Sequence, residues 1–323
     1  VTGSISSGTY ADNNIKNYSH GMFQSVYDYP YLSSSANHIL DITVGYPSDS
    51  SMADTTPLAQ QMQTKKINIY NQMAQMLVGF DHTGAIRQFD ADGDLTGGNK
   101  IKEAFFLSFA RLLTKDEIQK NTFRMSLATG AASNADIRFG LPMTLGDFGA
   151  DTAFKVNSPA GEYGVLYTSS AIPNEQSGVG LVYYQAGICV LTASIFTGSG
   201  GGVGDPLGQD HIGFGSVAGT QTFGSTATSG DTLSIHTVLS GTAISASADG
   251  FRARLINVEF NNTTELNSTI YFCRANHGDF NYSSNPTYLT GSKIRVKEVS
   301  KDQPVSYITT IGLYSADKEL LAV

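Results

Sequence analysis

The sequence predicts a mainly β protein with an antiparallel, sandwich-like architecture, one long α-helix and an extended N-terminal arm. Three observations support this fold class. Short apolar runs of strand length, separated by turns rich in Gly, Ser and Asn, make up most of the chain from residue 102 onward. One stretch before them repeats apolar residues at helical spacing, and residues 1–56 contain few aliphatic side chains.

The composition excludes several classes of protein. Only 15% of the 323 residues are charged, which is too few for a charge-driven disordered chain or a coiled coil. The 34 glycines show no three-residue period, so the chain is not collagen-like. No window approaches about 18 consecutive apolar residues, so we expect no membrane partner. The net charge of −8 opposes binding to a phosphate backbone, so we expect no nucleic-acid partner.

Residues 1–56 are predicted to form the extended arm. They are rich in Ser, Asn, Tyr and Asp, and such a segment buries little apolar surface of its own, so it is suited to lie on a neighbouring protein. One short strand is expected within the arm, at residues 38–45. The residues expected to contact the neighbour are aromatic: Tyr10, Tyr18, Phe23, Tyr27, Tyr29 and Tyr31.

Residues 57–197 are predicted to form an α+β domain that begins with the long helix. The helix is expected to start near Pro57 and to end at Gly79. Its apolar stripe is interpreted as a core-facing surface, with a partner-binding face as the alternative. The stripe consists of Leu58, Met62, Ile69, Met73, Met76, Leu77 and Phe80.

The remainder of this domain is predicted to be mostly strands. Residues 103–113 are apolar enough for a strand buried on both faces, and residues 122–128 alternate with period two. Between them, a capping-box sequence is expected to open a single helical turn at Thr114. Residues 178–196 are predicted to form a hairpin, because a short Gly-containing loop separates two apolar runs.

The last third of the chain is predicted to consist of a linker and a second domain. Residues 198–231, dominated by Gly, Ser and Thr, are expected to form a loop or linker. Residues 232–323 are predicted to form an antiparallel β domain. Its strands are expected at residues 233–239, 252–260, 269–274 and 293–299, followed by a hairpin of 307–314 with 320–323.

The two cysteines, Cys189 and Cys273, each lie in an apolar, strand-like run. We interpret both as buried free thiols, since an unpaired cysteine packs as a small hydrophobic residue. One disulfide between them is the alternative.

The motifs of the common enzyme classes are absent from the sequence. It has no G-x-G-x-x-G, no Gly-Lys dipeptide, no Gly-x-Ser-x-Gly, no His-Glu-x-x-His and no Cys-x-x-Cys. We therefore expect neither enzymatic activity nor a cofactor.

The strongest ligand-like cluster is acidic, with Asp90, Asp92 and Asp94 at alternate positions beside glycines. Such carboxylates can surround Ca²⁺, which takes about six to eight oxygen ligands. An EF-hand is excluded, because its sixth and twelfth positions would be Leu95 and Ile101 instead of Gly and Glu. We interpret the segment as a hydrophilic turn, with a Ca²⁺ site of another type as the alternative. General acid/base chemistry by Asp90 and Asp92 in a hydrolase is the least favoured interpretation.

Three blocks of the sequence resemble structural proteins of tailed phages. In the C-terminal block, a strand of the type Ile311-Gly-Leu-Tyr314 leads through a short acidic turn to Leu320-Leu-Ala-Val323, as in a hairpin of tail and baseplate proteins. Residues 36–45 with 66–75, and residues 156–165, resemble virion structural proteins of contractile-tailed phages, most of all those of marine cyanobacterial phages.

The resemblance implies a non-enzymatic structural protein of the virion, assembled in the host cytoplasm as part of a tail or baseplate. Its expected partners are further copies of itself and other virion proteins. Two alternatives stay open: a receptor- or glycan-binding tail-fibre module that contacts host-surface glycan through residues 275–290, and a neck- or capsid-associated decoration protein.

Overall fold

The chain is mainly β, and its strands pair in antiparallel ladders. The computed structural model describes residues 12–50, 53, 60–128, 142–168, 178–196, 239, 243–266, 268–276, 279, 284–290, 293–294 and 308–323. The chain divides into two compact units, Val1–Glu265 and Leu266–Val323.

The first unit contains fourteen of the described strands and four α-helices with described bounds. The strands are β1 (Ile15–Asn17), β2 (Gln24–Tyr27), β3 (His38–Gly45), β4 (Phe89–Asp90), β5 (Lys100–Ile101), β6 (Ala104–Phe109), β7 (Glu117–Ile118), β8 (Arg124–Ala128), β9 (Pro142–Gly146), β10 (Tyr163–Leu166), β11 (Gly180–Tyr183), β12 (Ile188–Thr192), β13 (Leu255–Glu259) and β14 (Asn262–Thr263). The helices are α1 (Gln60–Leu77), α2 (Arg111–Thr114), α3 (Ala150–Ala153) and α4 (Ile244–Arg254). The second unit contains β15 (Leu289–Thr290), β16 (Lys293–Ile294), β17 (Leu313–Tyr314) and β18 (Leu320–Ala322).

A central sheet of seven strands, in the order β1-β2-β3-β6-β12-β11-β10, organises the first unit. Successive residues of a strand point to opposite faces, so the two phenylalanines of β6 contact different layers. Phe106 lies 6.1 Å from Tyr70 of α1, measured between ring centroids. Phe105 lies 5.2 Å from Phe251 of α4. The central strand is therefore buried on both faces, as predicted, but it ends at Phe109. Residues 111–113, predicted as part of this strand, belong to α2 instead.

Helix α1 packs on β3 through a close backbone approach at Gly45. A Cβ at this position would lie 2.7 Å from the carbonyl oxygen of Lys66. On the helix, Ile69 and Leu77 are buried in the core, which confirms the core-facing interpretation for these residues. Gly79, with φ +79°, ends the helix: its N–H donates to the carbonyl of Ala74. Met76 and Phe80 of the predicted stripe are exposed.

A smaller sheet with the order β13-β8-β9 joins the face of the central sheet that carries Phe109. Three aromatic rings form this contact: Phe109 lies 5.8 Å from Phe123 and 5.2 Å from Phe260. The register pairs Glu259 with Arg124, so β13 belongs to the first unit. The sequence predicts a separate domain from residue 232, but residues 244–263 pack and pair within the first unit. The predicted linker 198–231 lies outside the described residues.

The predicted arm requires a correction. Residues 15–17, 24–27 and 38–45 are three consecutive strands of the central sheet, not a segment extended over a neighbour. The strand predicted at 38–45 is confirmed as β3. The physical reason is that polar residues of β2 are buried and hydrogen-bonded inside the chain. Gln24, for example, is fully buried and donates to the Asp249 carboxylate of α4 over 2.7 Å.

Several other elements differ from the prediction in detail. Thr114 ends α2 instead of opening a helical turn, because Lys115 has a positive φ of +56°, which does not continue a right-handed helix. Residues 252–254, predicted as strand, form the last turn of α4. Leu239, also predicted as strand, is helical, and residues 233–238 lie outside the described residues. Residues 269–274 are described and form no strand. The hairpin predicted at 178–196 is confirmed by the pairing of β11 with β12, although a 3₁₀ turn, Ala193–Phe196, replaces its end.

The two cysteines are both free. Cys189 on β12 is buried, as predicted, and burial raises the pKa of its thiol. Cys273 is exposed, contrary to the prediction, because no described residue of the second unit is buried. The alternative of a disulfide is therefore wrong.

Candidate functional site

The aromatic residues predicted to contact a neighbour mostly pack on their own chain. Tyr18 lies 4.9 Å from Phe23, and both rings are half-buried. Tyr27 is half-buried and lies 6.5 Å from Tyr31. Tyr29 and Tyr31, between β2 and β3, are exposed, and a role of this loop in an interface stays a prediction. Tyr10 lies outside the described residues.

The second unit exposes an unusual amount of apolar side chain. Phe272 is 94% exposed and Leu266 is 89% exposed. We define the apolar C-terminal surface as the exposed large hydrophobic residues of this unit. They are Leu266, Ile270, Tyr271, Phe272, Ile308, Ile311, Leu313, Tyr314, Leu320, Leu321 and Val323. Soluble monomeric proteins rarely leave large contiguous apolar patches in water, and such patches in other proteins commonly form interaction sites.

The backbone of the second unit gives these side chains little to pack against. Its described ladders, β15–β16 and β17–β18, each contain two residue pairs. The C-terminal hairpin is confirmed, with Leu313 opposite Ala322, but it is shorter than the sequence predicts. A two-stranded hairpin is marginally stable in water by itself. The unit therefore lacks, among its described residues, the buried core that would hold it folded alone.

The predicted glycan-binding loop, residues 275–290, is only partly described. Of these residues, 277–278 and 280–283 lie outside the described part of the chain. A glycan-binding role for this loop stays a prediction.

The acidic residues predicted as a Ca²⁺ site or a turn come together in the loop between β4 and β5. One carboxylate oxygen from each of Asp90, Asp92 and Asp94 lies within 4.8 Å of the others. Asp90 is the last residue of β4, and the register places Lys100 of β5 opposite it. The Lys100 ammonium forms an ion pair with Oδ2 of Asp90. The sequence thus correctly groups the three carboxylates but gives no indication of Lys100.

The two oxygens of Asp90 have different environments. The side chain is fully buried. While Oδ2 pairs with Lys100, Oδ1 has no hydrogen-bond partner among the described residues. Burial raises the pKa of Asp90; Lys100 opposes the rise, and the neighbouring Asp92 carboxylate adds to it. General acid/base chemistry by Asp90 and Asp92 stays a prediction.

Left-handed backbone wraps the loop around these carboxylates. Gly93 and Gly98 have φ of +73° and +64°. Tyr163 holds the loop from β10, since its hydroxyl donates to the carbonyl of Gly93 over 2.9 Å. A Cβ at Gly98 would lie 3.1 Å from Oδ1 of Asp90 and 3.2 Å from Oδ2 of Asp92. Both oxygens therefore face the space that the missing side chain of Gly98 leaves open.

Sequence reasoning missed a second buried carboxylate, Asp147. It accepts hydrogen bonds from the Phe123 N–H over 3.0 Å, from Arg124 over 2.9 Å and from the Tyr184 hydroxyl over 3.0 Å. Burial raises the pKa of Asp147 to about 6, although these donors oppose the rise. The donors come from residues far apart along the chain, so no local motif reveals the group. Its contacts tie β8 and β9 to the central sheet.

Searches of protein-family models, curated proteins and solved structures found no match to this chain. Within the described residues, no helix is both long enough and apolar enough to cross a membrane.

Proposed function

We propose that this chain is a non-enzymatic structural protein of a phage virion, in the tail or baseplate, that assembles in multiple copies through its apolar C-terminal surface. The exposure of that surface carries the proposal. The proposal of a phage tail or baseplate rests on the sequence resemblance. Antibodies against the chain are expected to label the tail or baseplate of purified phage particles.

The energetics favour a partner that covers many of these side chains at once. Burying one Phe or Leu fully is worth about 1.5–3 kcal/mol. Association costs about 4–15 kcal/mol of translational and rotational freedom. One contact cannot offset even the lower end of that cost, whereas the eleven exposed side chains of the apolar C-terminal surface can offset all of it.

The partner that we propose is a second copy of the same chain. The β17–β18 ladder has two short edges, and identical edges can pair by adding strand to strand. Charge opposes this contact only weakly, since the connecting turn combines the acidic Asp317 and Glu319 with the basic Lys318. The exposed Tyr29 and Tyr31, from the segment predicted as an arm, offer a further contact in a multi-copy array.

The experiment is analytical ultracentrifugation of the full chain over a range of concentrations. We expect the wild type to form oligomers and the double variant Phe272→Ser/Leu321→Ser to sediment as a monomer. The matched control is Leu112→Ser, which changes a leucine of α2 in the first unit that is 65% exposed. The control is expected to assemble like the wild type.

Two results would contradict the proposal. A wild type that stays monomeric at the highest concentration would show that copies do not bind one another through this surface. Equal assembly of the double variant and the control would place the contact elsewhere. Circular dichroism of all three proteins verifies that the first unit is folded in each.

A further inference from the structure

We infer that the loop between β4 and β5 binds one divalent cation, Ca²⁺, through Asp90, Asp92 and Asp94. Their carboxylate oxygens lie within 4.8 Å of one another, which is close enough for one ion to contact all three. The site lies in the first unit and is independent of the proposed function.

The buried oxygen of Asp90 is the observation that points to a ligand. A buried carboxylate oxygen normally accepts a hydrogen bond, because leaving it without a partner is costly. Oδ1 of Asp90 has no donor partner in the described part of the chain. Its side-chain neighbour is the Asp92 carboxylate, with which a hydrogen bond needs a shared proton. It faces the same open space beside Gly98 as Oδ2 of Asp92. Two carboxylates that face each other repel unless a cation or a shared proton lies between them.

The charge of the cluster fits a divalent ion. Three carboxylates and the paired Lys100 ammonium leave two negative charges, which Lys155 near Asp94 partly offsets, and a divalent cation neutralises the remainder. All the available donor atoms are oxygens, which suits a hard cation. Asp94 is exposed, so water molecules can complete the coordination. Ca²⁺ tolerates such an irregular shell better than Mg²⁺, which demands a near-ideal octahedron.

The arrangement differs from an EF-hand in how the loop closes. The chain turns back through Gly97 and Gly98, both with positive φ, and returns to β5 directly opposite Asp90. A bound ion would therefore connect Asp90, at the end of β4, to Asp92 and Asp94 within the loop. Because the loop is anchored to Tyr163, we expect Ca²⁺ to stabilise the first unit against unfolding.

The absence of tryptophan allows a direct optical test with Tb³⁺, which binds at Ca²⁺ sites and emits when a nearby aromatic ring transfers energy to it. The chain has no Trp, and Tyr163 contacts the loop. We expect tyrosine-sensitised Tb³⁺ emission from the full chain and its loss on addition of Ca²⁺. Calorimetric titration with Ca²⁺ alone is expected to give a dissociation constant on the order of 10⁻⁴ M, with weaker binding of Mg²⁺.

Two variants locate the site. Asp92→Asn and Asp94→Asn each remove one charged ligand, and we expect each to weaken Ca²⁺ binding by about tenfold or more. Asp94 is exposed, so its replacement leaves the fold intact. The matched control, Asp151→Asn, removes an exposed carboxylate of α3 and is expected to bind like the wild type.

Absence of sensitised emission and of heat on Ca²⁺ titration would overturn the inference and assign the Asp90–Asp92 contact to a shared proton. Equal affinity of Asp94→Asn and the control would also overturn it. Either failure would leave the assembly of the second unit unaffected, so it is distinguishable from failure of the proposed function.

Discussion

Replacing Asp147 with alanine tests whether this buried carboxylate holds the seven-stranded and three-stranded sheets of the first unit together. Asp147 is fully buried and accepts four hydrogen bonds, from the N–H groups of Asn121 and Phe123, from Arg124 and from the Tyr184 hydroxyl. In Asp147→Ala, all four donors lose their acceptor.

The expected loss in the free energy of unfolding depends on which of these four donors can hydrogen-bond to water instead. Phe123 and Tyr184 are fully buried, and each unsatisfied donor costs about 1–3 kcal/mol. Arg124 has 29% of its side chain exposed and can be hydrated instead, so it adds less. We therefore expect the free energy of unfolding to fall by about 3–5 kcal/mol, as for other broken buried ion pairs.

Urea unfolding followed by far-UV circular dichroism measures this loss. We expect the midpoint to fall by about 1–2 M with an unchanged slope. The control, Asp151→Ala, removes an exposed carboxylate from α3 and is expected to change stability by less than about 0.5 kcal/mol. A loss below about 1 kcal/mol in Asp147→Ala, or one equal to the control, would refute the assigned role.

Two further substitutions probe the contact between α1 and the core. Gly45→Ala is expected to lower the free energy of unfolding by about 1–3 kcal/mol. The reason is that its Cβ would lie 2.7 Å from the Lys66 carbonyl oxygen and 2.9 Å from the Tyr70 backbone nitrogen. An unchanged melting temperature would contradict this close approach. Burial lowers the pKa of Lys66 from 10.5 to about 8. Between these two pH values the unfolded chain therefore binds more protons than the folded chain, so the free energy of unfolding of the wild type should rise as the pH increases from about 8 to 10.5. The rise should be about 3 kcal/mol relative to Lys66→Met; parallel pH profiles of the two proteins would show that Lys66 does not titrate in this way.

The predictions that succeeded rest on local patterns. The strand at residues 38–45 and the hairpin of β11 with β12 follow from apolar runs bounded by turn residues. The run 103–113 predicts a strand buried on both faces, and β6 has that property. Helix α4 was missed although Ile244, Ala248 and Phe251 recur at helical spacing and are buried. The serines between them and Gly250 weakened that signal.

The acidic site could be predicted in part. The alternation of Asp90, Asp92 and Asp94 is visible in the sequence, and it suffices to group the carboxylates. The burial of Asp90 and its pairing with Lys100 depend on the register of β4 with β5, which no spacing rule gives. The orphaned oxygen of Asp90, which carries the inference of a cation, is visible only once the neighbouring groups are placed.

The sequence by itself determined that this chain is β-rich, weakly charged and devoid of common catalytic motifs, because these properties depend on composition and on neighbours along the chain. Only the tertiary structure decided where residues 15–45 lie. Gln24 looks solvent-exposed in the sequence, yet it is buried, and its amide nitrogen donates to Asp249, 225 residues away. A polar side chain can be buried wherever a distant partner satisfies it, and the sequence does not name that partner.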